Sequence, residues 1–142
     1  MGYASIADLT TYGLPATALG ALSVPQQQAE VDAASARVDS YLRGRYALPL
    51  VAWGVEITEA TCRIAAFNLL SVRGYNPAAG ADENIRERYV DAIEWLERVQ
   101  SKAAHPAITP AADQSPTYNQ PFVLSSSVVA VDSGRTAATR GW

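Results

Sequence analysis

Glu56-Ile57-Thr58-Glu59-Ala60-Thr61-Cys62-Arg63-Ile64-Ala65-Ala66-Phe67-Asn68-Leu69-Leu70-Ser71-Val72-Arg73 is the stretch that decides the fold. Ile57, Thr61, Ile64, Ala65, Asn68, Leu69 and Val72 recur at three- and four-residue steps, and Ala60, Phe67 and Leu70 broaden the face they share. Glu56 and Glu59 stand near the positive end of such a helix and Arg73 near the negative end, the favourable polarity. Gly74 stops it, and Asn76 to Gly80 reads as a loop. The segment is therefore expected to be a core helix.

The flanking sequence repeats the same period. Upstream, Val31, Ala34, Val38, Tyr41, Leu42 and Arg45 form one stripe on a helix from Pro25 to about Gly44, with Ser23 or Val24 before it. Alanines at 29, 33, 34 and 36 let a neighbouring helix come close. Downstream, Asp82 is expected to cap a helix to about Ala103, with Ile85, Tyr89, Ala92, Ile93, Leu96 and Val99 inward and mixed charge outward. Ser5 to Tyr12 forms a short first helix, with Ser5 as cap, Asp8 completing a capping-box variant and Gly13 as stop. Residues 14–24 are a connector in which Leu14, Leu19, Leu22 and Val24 pack. The fold class is all-α: a compact bundle of about four helices over residues 1–104.

After His105-Pro106 the pattern breaks. Residues 105–121 hold four prolines among serine, threonine and asparagine, so no long helix forms there. Phe122 to Val131 is apolar, β-branched and serine-rich, the composition of a strand, and Ser133 to Trp142 is polar with two arginines. This partly extended arm, residues 105–142, carries Phe122, Val123, Leu124, Val128, Val129, Arg135, Arg140 and Trp142 as candidate contacts. A lone strand leaves its backbone groups unpaired. Three paths stay open: the arm is disordered, it packs back on its own helices, or it reaches another subunit or protein.

Composition narrows the function classes. The chain of 142 residues has 49% hydrophobic but 18% charged residues, a net charge of −3 and no basic run. That balance argues against a domain that grips a nucleic-acid backbone. Cys62 alone allows neither an internal disulfide nor a cysteine-rich metal site, which suits a reducing compartment. No eighteen-residue apolar run and no basic-then-apolar leader is present, so neither membrane spanning nor secretion is expected.

Candidate chemistry is sparse. His105 is the sole histidine and sits past the last helix, Cys62 borders the buried stripe, and the dispersed glycines form no phosphate loop. Asp39 and Glu94 are the carboxylates an acid–base device would use, but no paired carboxylate, catalytic histidine or nucleophile motif accompanies them. The expectation is no enzyme, no cofactor and no metal. Asp39 and Arg43 are spaced for a local ion pair. Arg45 falls near helix-end carbonyls that it could cap, and Tyr46 can lay its ring on the core. Pro49 biases Leu48 toward extended backbone, giving a tight corner between the second and third helices.

The run Asp39-Ser40-Tyr41-Leu42, continuing to Arg45-Tyr46 and Pro49-Leu50, resembles the hallmark of a Mu-like phage and prophage family of small virion proteins that join head to tail. Tyr3-Ala4 with Asp8-Leu9 and Arg88-Tyr89-Val90-Asp91-Ala92-Ile93-Glu94-Trp95-Leu96 extend the likeness over roughly residues 1–104, and it includes the arm more loosely. Where the family often has a glycine and a leucine after the fourth helix, this chain has Ser101-Lys102-Ala103-Ala104-His105-Pro106. The resemblance implies a helical adaptor made in the bacterial cytoplasm and placed in the virion neck. It would form a ring of twelve copies beneath the portal around the DNA channel, contacting the portal protein and a further neck or tail protein. Asp39, Tyr41, Arg45, Tyr46, Pro49 and Leu50 carry over as structural determinants of the turn. A mildly acidic ring would enclose DNA without sequence-specific binding, because a basic lining would hold phosphates through counterion release. The competing reading is a DNA-contacting packaging or regulatory module, using a basic patch of Arg37, Arg43, Arg45 and Arg73.

Overall fold

The computed structural model describes residues 2–111 apart from Tyr75 and Pro77. The expected strand at Phe122–Val131 and the arm contacts Phe122, Val123, Leu124, Val128, Val129, Arg135, Arg140 and Trp142 lie outside the described residues.

The all-α reading holds: the described chain is five helices and one small two-stranded sheet. α1 is Ile6–Asp8, and the backbone then widens into a π-helical turn, Leu9–Gly13. The capping box is formed, with the Asp8 N–H donating to Ser5 Oγ and the Ser5 N–H donating to Asp8 Oδ2. Gly13 belongs to the turn and its role is close approach. A Cβ there would lie 3.0 Å from the Cys62 carbonyl oxygen and 3.2 Å from Ala66 Cβ. α2, Ala16–Leu19, occupies the connector, and Leu14 and Leu19 are buried. Val24 does not pack as expected: it is 63% exposed, on the first turn of the next helix and pointing outward.

α3 is Val24–Leu42, capped by Ser23 in a second capping box with Gln26. Gln27, Val31, Ala34, Val38 and Leu42 are buried along one stripe. α4, Val55–Arg73, runs between α3 and α5, Gly80–Gln100, and the π-helical turn also packs on it. Ile57, Thr61, Ile64, Ala65, Leu69 and Leu70 are buried, making α4 the axis of the core as its period requires. Val72 departs from the expected face and is 56% exposed, because the last turn of α4, Ser71–Arg73, is exposed throughout.

Asp82 is not the cap of α5. The helix begins two residues earlier, and the buried Asp82 carboxylate instead receives Arg73 Nη2 and the Asn76 N–H, both at 3.0 Å. It ties the end of α4 to the start of α5 while lying in the first turn, where the helix dipole favours a negative charge. α5 ends in a Schellman motif: the Ala103 N–H donates to the Arg98 carbonyl at 2.8 Å and the Lys102 N–H to that of Val99 at 3.1 Å. Lys102, with φ of 70°, takes the left-handed position that glycine usually fills.

Candidate functional site

The corner between α3 and α4 gathers the residues that carry the family resemblance. After Leu42 the backbone tightens, with both the Arg45 and Tyr46 N–H groups donating to the Leu42 carbonyl at 2.9 Å. The Arg45 side chain then turns away from its own helix end, contrary to the local cap expected for it. Nη1 donates to the carbonyls of Val99 (2.5 Å) and Ala104 (2.7 Å), and Nη2 lies 2.6 Å from His105 Nδ1. One guanidinium thus satisfies carbonyls where α5 ends and holds the residue with which the arm begins. A planar fork of five donors suits three acceptors in this way, as an ammonium would not. Its Cζ lies 5.0 Å from the Tyr46 ring centroid, and Tyr46 itself packs against the core.

Asp39 anchors the opposite end of the chain. It accepts the Tyr3 hydroxyl in place of the Arg43 pairing that its helical spacing allows. The Tyr3 N–H donates to Ser35 Oγ (3.0 Å), its carbonyl accepts from Thr58 Oγ1 (2.9 Å), and its ring meets Trp53 edge-on at 4.8 Å. Burial foremost, then the hydrogen bond to Asp39 and that carboxylate's charge, raise the Tyr3 phenol above the ordinary tyrosine range. Tyr41 is half-buried against the core, so Asp39 and Tyr41 hold the corner from the α3 side.

Beyond Arg45 the chain folds under. Leu48–Pro49 is a cis peptide, Pro49 is exposed and Leu50 buried. β1, Ala52–Trp53, pairs antiparallel with β2, Ile108–Thr109, in the register Ala52↔Thr109 and Trp53↔Ile108. Around it the Val51 N–H donates to Thr109 (2.7 Å), that of Gly54 to Ala107 (2.7 Å) and that of Ala111 to Ala47 (3.1 Å). The Ala107 N–H donates to Glu56 Oε1 at 2.8 Å. Gly54 makes a close approach where these strands meet: a Cβ on it would lie 2.7 Å from Glu56 Oε1, the movable end of that side chain, and 3.1 Å from Ala107 Cβ. Residues 105–111 therefore lie along the corner that Arg45 to Leu50 builds.

Elsewhere, a polar cleft of about 300 Å³ between α4 and α5 is lined by Glu56, Glu59, Arg63, Asp91, Trp95 and Arg98 among others. Glu94 is exposed and 3.8 Å from Arg98, remote in sequence and contact from Asp39. Cys62 is buried; burial, and then the negative charges of Asp8 and Glu59, push its thiol up to about 12. Among the described residues, no group of three or more histidine, cysteine, aspartate or glutamate side chains is placed to hold a metal ion. No helix among them is long and apolar enough to cross a membrane. Three of the four arginines of the DNA-contact reading have other partners. Arg45 faces inward, Arg37 donates to the Tyr89 hydroxyl, and Arg73 pairs with Asp82 at the far end of α4, about 27 Å of helix from the corner.

Fold and corner together define a small helical-body protein whose third-to-fourth-helix turn fastens both its amino-terminal segment and the root of its carboxy-terminal one. The chain belongs to the family described as Bacteriophage Mu, Gp36, whose model matches residues 3–125. Over 76 residues it is 37% identical to the Mu-like prophage FluMu protein gp36 of Haemophilus influenzae, a match covering 54% of this chain and 49% of that protein. The chain thus spans about half the length of that curated relative. The phage family suggested by the Asp39 to Leu50 stretch is the one matched.

Proposed function

We propose that this protein is a structural head–tail connector of a phage particle. Twelve copies form a ring in the virion neck, under the portal and around the DNA channel, with a further neck or tail protein below. It works by contact and not by catalysis, needs no cofactor, and encloses DNA without reading its sequence. The observation that supports this reading most is the Arg45 clamp: a residue of the family turn holds the chain at Ala104 and His105, where it leaves α5. A rigid body with a fastened tether suits a joint between two larger assemblies, because the tether adds contact area that a body of this size lacks.

The test is removal of the chain after Ala111, which keeps the β1–β2 pairing and cuts the arm beyond it. The shortened protein is expected to keep its helical circular dichroism and melting temperature, while heads carrying it fill with DNA but do not acquire tails. Tailed infectious particles at the normal yield would contradict the arm's part in joining.

A further inference from the structure

The polar cleft between α4 and α5 holds a charge that the chain itself leaves unanswered. Three carboxylates, Glu56, Glu59 and Asp91, and two guanidiniums, Arg63 and Arg98, line its volume of about 300 Å³. Glu59 pairs with Arg63 at 3.2 Å, Glu56 accepts the Ala107 N–H, and Arg98 leans toward Glu94, outside the lining, at 3.8 Å. Arg63 Nε is buried from solvent, so it does not face an incoming group. Asp91 is exposed, and its carboxylate has no partner among the described residues. Trp95, four residues along α5, shares its face and lines the same cleft. An unpaired carboxylate beside an aromatic ring suits a guanidinium, which bonds the one and stacks on the other.

Arg43 is the counterpart. Every other arginine among the described residues has a partner within the chain. Arg43 has none, because the Asp39 carboxylate that its spacing offers is taken by Tyr3. It is exposed at the C-cap of α3 and shares an outward face with exposed Ala36 and Ser40, at three- and four-residue steps. Of the alanines at 29, 33, 34 and 36, only Ala34 turns inward, so this face is flat. α3 packs on both α4 and α5, yet none of its residues lines the cleft. Arg43 and the cleft therefore lie on opposite sides of the bundle, both in the half that the corner closes. An arginine so placed is out of reach of its own cleft and open to that of another copy.

We propose that Arg43 of one copy enters the α4–α5 cleft of the next, bonding Asp91 and packing against Trp95. The inference rests on the ring reading, in which each copy gives one face and receives another, as a closed cyclic assembly requires. In a ring of many copies those two faces are nearly opposite, as the Arg43 face and the cleft are. The small side chains of the outward face of α3 let the neighbour's α4 and α5 come close enough for the contact.

Charge exchange tests it. A phage deleted for this gene is grown on cells that make full-length Arg43→Asp, Asp91→Arg, the two proteins together, or the double variant, and tailed particles are counted. Each single variant is expected to lower the yield by roughly tenfold or more, because every interface then sets like charge against like. The double variant restores it, and so does the mixture, since alternating copies give every interface one opposite pair. Parental yield from either single variant overturns the contact. So does failure of both rescues when the melting temperatures match the parent's. Rescue by the double variant without rescue by mixing places the pair within one chain and overturns the exchange. Where a reversal lowers the melting temperature, Arg43→Gln and Asp91→Asn take its place: their double is expected to lose no more than either single, and additive losses overturn the pairing. Neck reconstructions from the same particles separate the two readings. A ring around the channel with parental yield from the single variants sinks this inference and spares the ring. Rescue by mixing among copies that do not encircle the channel supports the inference and sinks the ring.

Discussion

Arg45 replaces two kinds of partner that a helix end ordinarily finds in water or in its own backbone. Its guanidinium serves the Val99 and Ala104 carbonyls and approaches His105, so removing it takes that donor from the Ala104 carbonyl and leaves Val99 with the Lys102 N–H, in a half-buried place. Charge-assisted bonds of this kind contribute about 1.5–3 kcal/mol each, and they are not additive. Arg45→Met is therefore expected to lower unfolding free energy by roughly 2–4 kcal/mol in urea titration and to speed protease cleavage within residues 105–111; Arg45→Lys recovers part of the loss. An unchanged midpoint and cleavage rate would remove Arg45 from its role as clamp. Tyr3 and Cys62 make a second prediction at this scale. Both groups hold their protons to higher pH when folded than when unfolded. Above the ordinary values of 9 for the thiol and 10 for the phenol, the unfolded chain therefore binds fewer protons than the folded one, and stability falls as pH rises. The melting temperature should drop steadily from about pH 9 upward, and Tyr3→Phe should flatten the part of the fall above pH 10. A profile identical in Tyr3→Phe and the parent would contradict this account of Tyr3.

At the scale of elements, the Schellman end of α5 is strained by a non-glycine residue in the left-handed region. Lys102→Gly is expected to raise stability by roughly 0.5–1 kcal/mol in equilibrium denaturation, and a loss of stability would show that the lysine side chain contributes more there than its backbone costs. The inward stripes of α3, α4 and α5 were legible because a 3.6-residue period is a local property of the sequence. Val72 was not, since burial of a final turn depends on how far neighbouring elements extend. Nor was the target of Arg45, because its acceptors lie 54 and 59 residues away and are backbone atoms with no compositional trace. Two-residue strands carry no period at all, so β1 and β2 were invisible until their pairing placed Trp53 against Ile108. Asp82 misled because an aspartate beside a helix start serves a cap or a loop equally well; Arg73 and Asn76 together decided for the loop.

For the whole molecule, core and corner divide the work. α4, sheathed by α3, α5 and the π-helical turn, supplies the rigid body. The corner converts that body into a platform, with Asp39 holding the first residues and Arg45 the root of the last segment. Membership in the Mu Gp36 family gives this platform its phage setting, and the proposed ring gives the arm somewhere to go. The central claim is that copies of this chain join head to tail as a neck ring, and the most direct measurement is an electron cryo-microscopy reconstruction of the neck of the phage particle that carries it. The account predicts twelve copies beneath the portal, encircling the DNA channel, each with its residue 45 corner at the root of an arm that leaves its own body. A neck without this protein, or one in which it lies outside the channel wall as isolated copies, would contradict it.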